Sequence, residues 1–183
     1  MVRLETFLVF DLLLEAGLLG LALRHTRNYW LHDLALLPSL ALGAWILVGM
    51  NRSRRFKTSL LALGGLVVLV TIGEASQLGL YHKWIVSMIL GSLGLMFASV
   101  WNLGRLFSRP SSTGLSQQPA FWFLGASILD LGTSVLMYAG STLFLRSLSP
   151  KWIGIPWAVN TALGVVLRLV LTKAFLCPKP KSS

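Results

Sequence analysis

The residues of this chain best suited to chemistry are its six acidic residues, which all lie inside or at the edge of apolar segments. They are Glu5, Asp11, Glu15, Asp33, Glu74 and Asp130. A charged side chain at the centre of a membrane costs at least about 2.5 kcal/mol on insertion scales, so it is normally paired, neutralised or functional. The pattern therefore predicts either a proton pathway or structural pairs.

Asp130 is the most conspicuous acid because it is the one charge between Phe121 and Leu145. It lies nine residues into that segment, roughly 14 Å deep, and Arg168 lies eight residues from the end of the next segment, roughly 12 Å deep. Side chains at similar depths can pair, and pairing lets both charges stay in the membrane. We predict a structural clamp between Asp130 and Arg168 in preference to a transport site.

Asp11 and Glu15 are four residues apart and share one face of the first predicted helix. Two carboxylates at this spacing favour a proton shared between them, as in a proton relay. The same face could instead line a helix interface with neutral acids, so both interpretations stay open. Glu74 is a further candidate for a proton pathway.

Three histidines, His25, His32 and His82, fall on one predicted side of the membrane near Asp33 and Glu74. Imidazole and carboxylate are ligands for zinc and other transition metals, which makes these histidines weak candidates for a metal site. The chain has no HxxxH or HExxH spacing, and a haem with two histidine ligands needs two facing histidines at similar depth. His25 and His82 are more simply interpreted as loop residues, and no cofactor is expected.

The segment NRSRRFK carries four cations in seven residues: Arg52, Arg54, Arg55 and Lys57. Clusters of this kind bind anionic lipid headgroups or an acidic partner protein. The ordinary bias of Lys and Arg toward cytoplasmic loops produces the same pattern. The sequence therefore names a candidate lipid or partner surface without choosing between these interpretations.

The composition predicts that the candidate residues above lie on membrane helices. The chain is 55% apolar and only 12% charged, whereas soluble domains are about a quarter charged. Six apolar segments reach spanning length, at about residues 4–23, 30–50, 58–80, 84–103, 121–145 and 152–176. A longer polar connection, residues 104–119, is predicted to be a flexible inner loop. The predicted fold is all-α: residues 1–183 form one membrane domain, a bundle of six transmembrane helices.

Loop charges predict the orientation of this bundle. With the N-terminus inside, ten Lys and Arg residues fall on the inner side and five on the outer side. Both termini are therefore predicted to be cytoplasmic, in a multi-pass protein of the cytoplasmic membrane. Glycines within the spans, including Gly64, Gly65, Gly91, Gly94, Gly125 and Gly132, are predicted to let helix backbones approach closely.

Two function classes lack support in the sequence. The net charge is +10, but the sixteen Lys and Arg residues are scattered between apolar runs, so nucleic acid is not an expected partner. Nucleophilic catalysis lacks a GxSxG motif and a glycine-rich phosphate loop, and the single cysteine, Cys177, has no histidine nearby in the sequence. We predict that the chain is not an enzyme.

The last third of the chain contains Pro119, Phe121 and Trp122 at the entry of a span, then Gly140, Asn160 and a terminal FLCPKPK. In these residues it resembles a group of small uncharacterised multispan membrane proteins from bacteria, which are weakly similar to the membrane portions of sensor kinases. The resemblance implies a bacterial membrane protein, and no catalytic residue carries over.

These observations predict an integral membrane protein that acts as a non-enzymatic sensing or interaction component. A small proton-coupled transporter or channel using Asp11, Glu15, Glu74 and Asp130 is the first alternative. A membrane redox protein with outer histidines as haem or metal ligands is the second. The lipid bilayer is the expected partner, with anionic headgroups or a protein at the inner loops.

Overall fold

A computed structural model of the chain describes residues 6, 9–10, 13, 29–78, 85–108, 114–143, 163, 166–167 and 169–172, with only the backbone described for 29–36 and 141–143. Within these residues the chain forms four long helices and a short 3₁₀ helix. They are α1 (Tyr29–Met50), α2 (Arg54–Leu78), α3 (Ile85–Phe107), the 3₁₀ helix Leu115–Gln117 and α4 (Pro119–Leu143). The described residues contain no strand, so the all-α prediction is confirmed for them.

Three of the described helices are long and apolar enough to cross a membrane. They are Arg54–Leu78, Ile85–Phe107 and, within α4, Pro119–Gly140. A shorter apolar helix, Leu37–Met50, lies in α1. Large apolar side chains along α2 are exposed, among them Leu61 at 75% and Leu69 at 69%. An exposed apolar helix face of this kind is unfavourable in water and suits contact with lipid, so the helices indicate a membrane-embedded protein.

The predicted first and last spans, residues 4–23 and 152–176, lie mostly outside the described residues, although every described residue within them is helical. The four middle spans coincide with α1 to α4 within a few residues. Two ends differ: α2 begins at Arg54 rather than at 58, and α3 continues to Phe107 rather than ending at 103. Hydropathy marks where the apolar surface ends, whereas Arg and Lys are good helix formers that extend a helix beyond it.

The chain divides into two compact units, Met1–Leu95 and Met96–Ser183, and the division falls inside α3. In the first unit, α1 packs against α2, and the two helices are joined by residues 51–53. Glu74, late in α2, bonds the start of α3, while Leu63, earlier in α2, lies over Gly94 further along α3. These contacts make α2 and α3 antiparallel neighbours.

Glycine contacts hold α3 against α1 and α2. The Leu40 side chain of α1 occupies the space that a Cβ at Gly91 would need, and the Leu63 side chain of α2 does the same at Gly94. A leucine of α3 also contacts a glycine of α1: Leu95 Cδ1 would lie 3.3 Å from a Cβ placed on Gly43. Leucines of one helix thus fill the glycine gaps of the next, which gives van der Waals contact where lipid provides no hydrophobic drive.

The glycine prediction is confirmed at Gly91 and Gly94, whereas three other glycines have no close neighbour among the described residues. A Cβ added at Gly64, Gly65 or Gly125 would meet no atom of the described residues within 4 Å. At Gly132 it would make an ordinary contact, 3.5 Å from Met96 Sδ. The sequence alone does not separate glycines in helix interfaces from those on an open face, because residue type is the same in both.

In the second unit, the entry to α4 is ordered by aromatic contacts and hydrogen bonds. Phe121 packs edge-on against Phe107, with ring centroids 6.3 Å apart, and against Trp122, at 5.4 Å. Trp122 Nε1 donates to the Ser116 carbonyl oxygen at 2.7 Å. Pro119 occupies the first residue of α4, where its missing N–H costs nothing and its fixed φ suits the helix.

Candidate functional site

The most deeply packed of the three candidate spans is α3. In its most apolar stretch 44% of residues are buried, against 17% in α2 and in α4. Its buried residues recur along one face: Ser87, Met88, Gly91, Ser92, Leu95, Ala98, Ser99 and Asn102. Val86, Phe97 and Trp101 lie among the exposed residues of the same helix. Its hydroxyl groups thus lie on the protein side, where membrane helices use polar groups to join neighbours.

Glu74 caps the start of α3. Its Oε1 accepts a hydrogen bond from Val86 N at 2.8 Å, and its Oε2 accepts one from Ser87 N at 2.9 Å. The first amides of a helix have no acceptor within the helix, and the helix dipole favours a negative charge at this end. The half-buried carboxylate therefore uses both oxygens to complete the backbone hydrogen bonding of the next helix.

This cap changes the interpretation of Glu74 as an intramembrane acid. A group in a proton pathway must bind and release a proton, whereas here each oxygen already accepts a backbone N–H. Hydrogen bonds from backbone amides to a carboxylate are stronger than those to a neutral acceptor, so both oxygens contribute to holding the helix start. The geometry supports a structural role that joins α2 to α3.

The buried face of α3 also holds a hydroxyl without a hydrogen-bond partner. Ser99 is 1% exposed, and no group of the described residues bonds its Oγ. Nearby along the helix, Asn102 Nδ2 donates to the Ala98 carbonyl oxygen at 2.9 Å. In α2, by contrast, the buried hydroxyl of Thr71 donates to the Val67 carbonyl oxygen at 2.8 Å. A buried hydroxyl without a partner costs free energy, so Ser99 is a candidate contact for a polar group.

The four cations predicted as a lipid or partner surface lie together at the turn between α1 and α2. We call Asn51–Lys57 the cationic turn. Arg52, Arg54 and Arg55 are exposed and Lys57 is half-buried. Within the described residues, none of these four side chains forms an ion pair with an acidic side chain. The charge of the three arginines is therefore accessible at the surface of the described residues.

A buried asparagine fixes the backbone of the cationic turn. Asn51 is 1% exposed, and its Oδ1 accepts a hydrogen bond from Ser53 N at 3.0 Å. Asn51 N donates to the Val48 carbonyl oxygen at 3.4 Å, and Lys57 N donates to the Ser53 carbonyl oxygen at 3.2 Å. An asparagine side chain bonded to the backbone two residues later is a common turn motif, and here it joins the end of α1 to the start of α2.

The other predicted site residues are placed only in part. Asp130 lies in α4 with an exposed side chain, but Arg168 lies outside the described residues, so their pairing stays a prediction. Asp11, Glu15, His25 and His82 also lie outside them, and His32 is described only by its backbone in α1. The part of the chain with described side chains contains no group of three or more His, Cys, Asp or Glu residues able to hold a metal ion.

Sequence reasoning missed two residues of these sites. Asn51 follows an apolar segment and precedes an arginine, a position typical of a turn, so the sequence contains a signal that identifies this residue. Ser99 is one of several serines in its span, and a sequence without fixed helix faces does not show which hydroxyl is buried without a partner.

Comparisons of the whole sequence with protein-family models, with curated proteins and with solved structures found no match. Any assignment of function therefore depends on the geometry of the residues described above.

Proposed function

We propose that this chain is a multi-pass membrane protein that acts as a non-enzymatic sensing or interaction component, with the cationic turn as the surface that meets its partner. The observation that carries the proposal is the use of Glu74, whose two carboxylate oxygens are both occupied by backbone amides of α3. A described acid that could have served a proton pathway is engaged in joining two helices.

The cationic turn supports the second half of the proposal. Its three arginines are exposed, and Asn51 holds the backbone that presents them. A preformed charged surface loses less conformational entropy on binding than a flexible one. The partner is accordingly an acidic surface, provided by lipid or by protein.

Six spans with both termini in the cytoplasm complete the proposal, in a cytoplasmic membrane of the bacterial type that the sequence resemblance implies. The loop charges support this orientation, since the cationic turn holds four of the ten inner cations. A reporter enzyme active only outside the cytoplasm, fused after Ser183, should be inactive. An active fusion would overturn the orientation.

Proton flux tests the proposed function against the carrier alternative. Purified protein is reconstituted into liposomes that contain a pH-sensitive dye, and a potassium diffusion potential drives proton movement. We expect the same rate as in liposomes without protein, for the natural chain and for Glu74→Gln. A faster rate that Glu74→Gln abolishes would show that the carboxylate carries protons and would reject the proposal.

A small transporter is the second candidate, because the buried Ser99 hydroxyl has no partner within the described residues. A polar group passing along α3 would supply that partner. Ser99→Ala separates the two cases: a static packing role predicts unchanged or slightly higher stability, because the unpaired hydroxyl is removed. A transport role predicts a changed flux of the transported species with folding intact.

A further inference from the structure

We infer that the cationic turn binds the phosphate group of anionic phospholipids, with an acyl chain lying along the exposed face of α2. The inference rests on the proposed function, since it names the chemistry of the partner that meets the same surface. The site combines a cluster of positive charge with an apolar strip directly beside it, which is the arrangement that an amphiphilic anion fits.

Charge is the first argument. The seven residues Asn51–Lys57 contain four cations and no acidic residue. Arg52, Arg54 and Arg55 are exposed, and no described acidic side chain pairs with them. Guanidinium groups bind phosphate oxygens through two parallel hydrogen bonds, which gives geometric preference as well as attraction.

Position in the membrane is the second argument. Helix α2 has 25 residues, which makes it about 37 Å long at about 1.5 Å per residue. The hydrocarbon core is about 30 Å thick, so a spanning α2 extends beyond it. Arg54 and Arg55 form the first turn of this helix, and they therefore lie at the depth of the lipid headgroups.

The surface next to the cations is apolar and exposed. Leu61 follows Arg54 by about two turns and is 75% exposed. Gly64 and Gly65 are exposed as well, and a Cβ added at either would meet no described atom within 4 Å. An acyl chain can lie along this strip while its phosphate contacts the arginines. An acidic soluble protein would use the charges and leave the strip uncovered, so the observations favour lipid.

The stability of α2 does not explain why Arg54 and Arg55 lie in its first turn. The N-terminus of a helix carries partial positive charge, so cations in the first turn are unfavourable and acids are favourable. The first turn of α2 has no acidic residue. An anion bound at the turn would offset the repulsion among these positive groups.

The test is lipid retention measured by native mass spectrometry. Full-length protein is purified in a neutral detergent with equal amounts of phosphatidylglycerol and phosphatidylcholine, and the bound lipids are counted. We expect the natural chain to retain phosphatidylglycerol preferentially. The triple variant Arg52→Gln, Arg54→Gln, Arg55→Gln should lose this preference by about a hundredfold, because each cation near an anionic surface contributes about 1 kcal/mol to binding.

A charge-matched control removes three cations elsewhere: Lys173→Gln, Lys179→Gln, Lys181→Gln. It should retain the lipid as the natural chain does. The triple variant Arg52→Lys, Arg54→Lys, Arg55→Lys keeps the charge but loses the paired hydrogen bonds, so its retention should be intermediate. Thermal unfolding in the same detergent checks that each variant is folded. If the triple Gln variant does not fold, Arg52→Gln alone, which changes a residue outside both helices, should still lower retention severalfold.

Equal losses in the cationic turn and in the Lys control would show general charge attraction and would overturn the site. Unchanged retention in the Gln variants would also overturn it and would leave an acidic protein as the partner of the turn. Displacement of the lipid by millimolar inorganic phosphate would point to a soluble phosphate ligand instead. These results are independent of the proton-flux measurement, so failure of the lipid site and failure of the proposed function are distinguishable.

Discussion

The two ends of α2 use charge in opposite ways. At its C-terminal end, the Glu74 carboxylate accepts hydrogen bonds from Val86 N and Ser87 N, so its charge is used in hydrogen bonds within the protein. At its N-terminal end, Arg54 and Arg55 are exposed and pair with no described acid. Both ends are functional candidates on residue type alone. The acidic end is engaged in the fold, and we propose that the basic end meets a partner.

The comparison depends on α2 being held against α3, and the variant expected to disturb this most is Gly94→Leu. Leu63 already fills the space beside Gly94, so a larger side chain there must push the helices apart. We expect a loss of about 2 to 3 kcal/mol in the free energy of unfolding. The measurement is reversible unfolding in mixed micelles. Gly64→Leu is the matched control, since its position is open among the described residues and the change should be nearly neutral.

The acidic end of α2 is tested by Glu74→Ala. We expect the free energy of unfolding to fall by about 2 kcal/mol, because two amides of α3 lose a charged acceptor. Glu74→Gln keeps one acceptor oxygen and should lose about half as much. The same unfolding measurement applies, with Ser76→Ala as a control on an exposed residue of the same helix. If Glu74→Ala proves as stable as the natural chain, the cap contributes nothing and the assignment of Glu74 to the fold fails.

The turn that presents the basic end is tested by Asn51→Ala. Loss of the hydrogen bond from Ser53 N to the Asn51 side chain should cost about 1 kcal/mol. If lipid retention falls in Asn51→Ala while the protein stays folded, the turn acts by holding the arginines in position. Unchanged retention would show that their charge is sufficient without a fixed backbone.

The smallest effect on stability is expected at the basic end itself. Arg54→Gln with Arg55→Gln should change the free energy of unfolding by less than about 0.5 kcal/mol, or raise it slightly, because cations oppose the dipole at a helix N-terminus. The measurement is thermal unfolding in neutral detergent without anionic lipid. A large loss of stability would place these arginines in the fold and remove the contrast with Glu74.

Sequence reasoning located the middle helices well and their contacts poorly. The apolar segments at 30–50 and 121–145 match α1 and α4 to within about two residues, because a membrane span needs a continuous apolar run that is visible in the sequence. Gly94 and Gly64 look alike in the sequence, yet a Cβ at Gly94 would meet Leu63, whereas one at Gly64 would meet no described atom within 4 Å. The missing information is which face of each helix meets a neighbour.

The sequence by itself determined that the chain forms apolar membrane helices and that four cations cluster at Asn51–Lys57, since both follow from residue type and spacing along the chain. Only the tertiary structure decided what the charges do. Glu74 became a helix cap because the start of α3 lies beside the end of α2, where the first amides of α3 meet the carboxylate. The arginines are exposed, and none of them pairs with a described acid. Pairing depends on distances between helices, which a linear pattern does not contain.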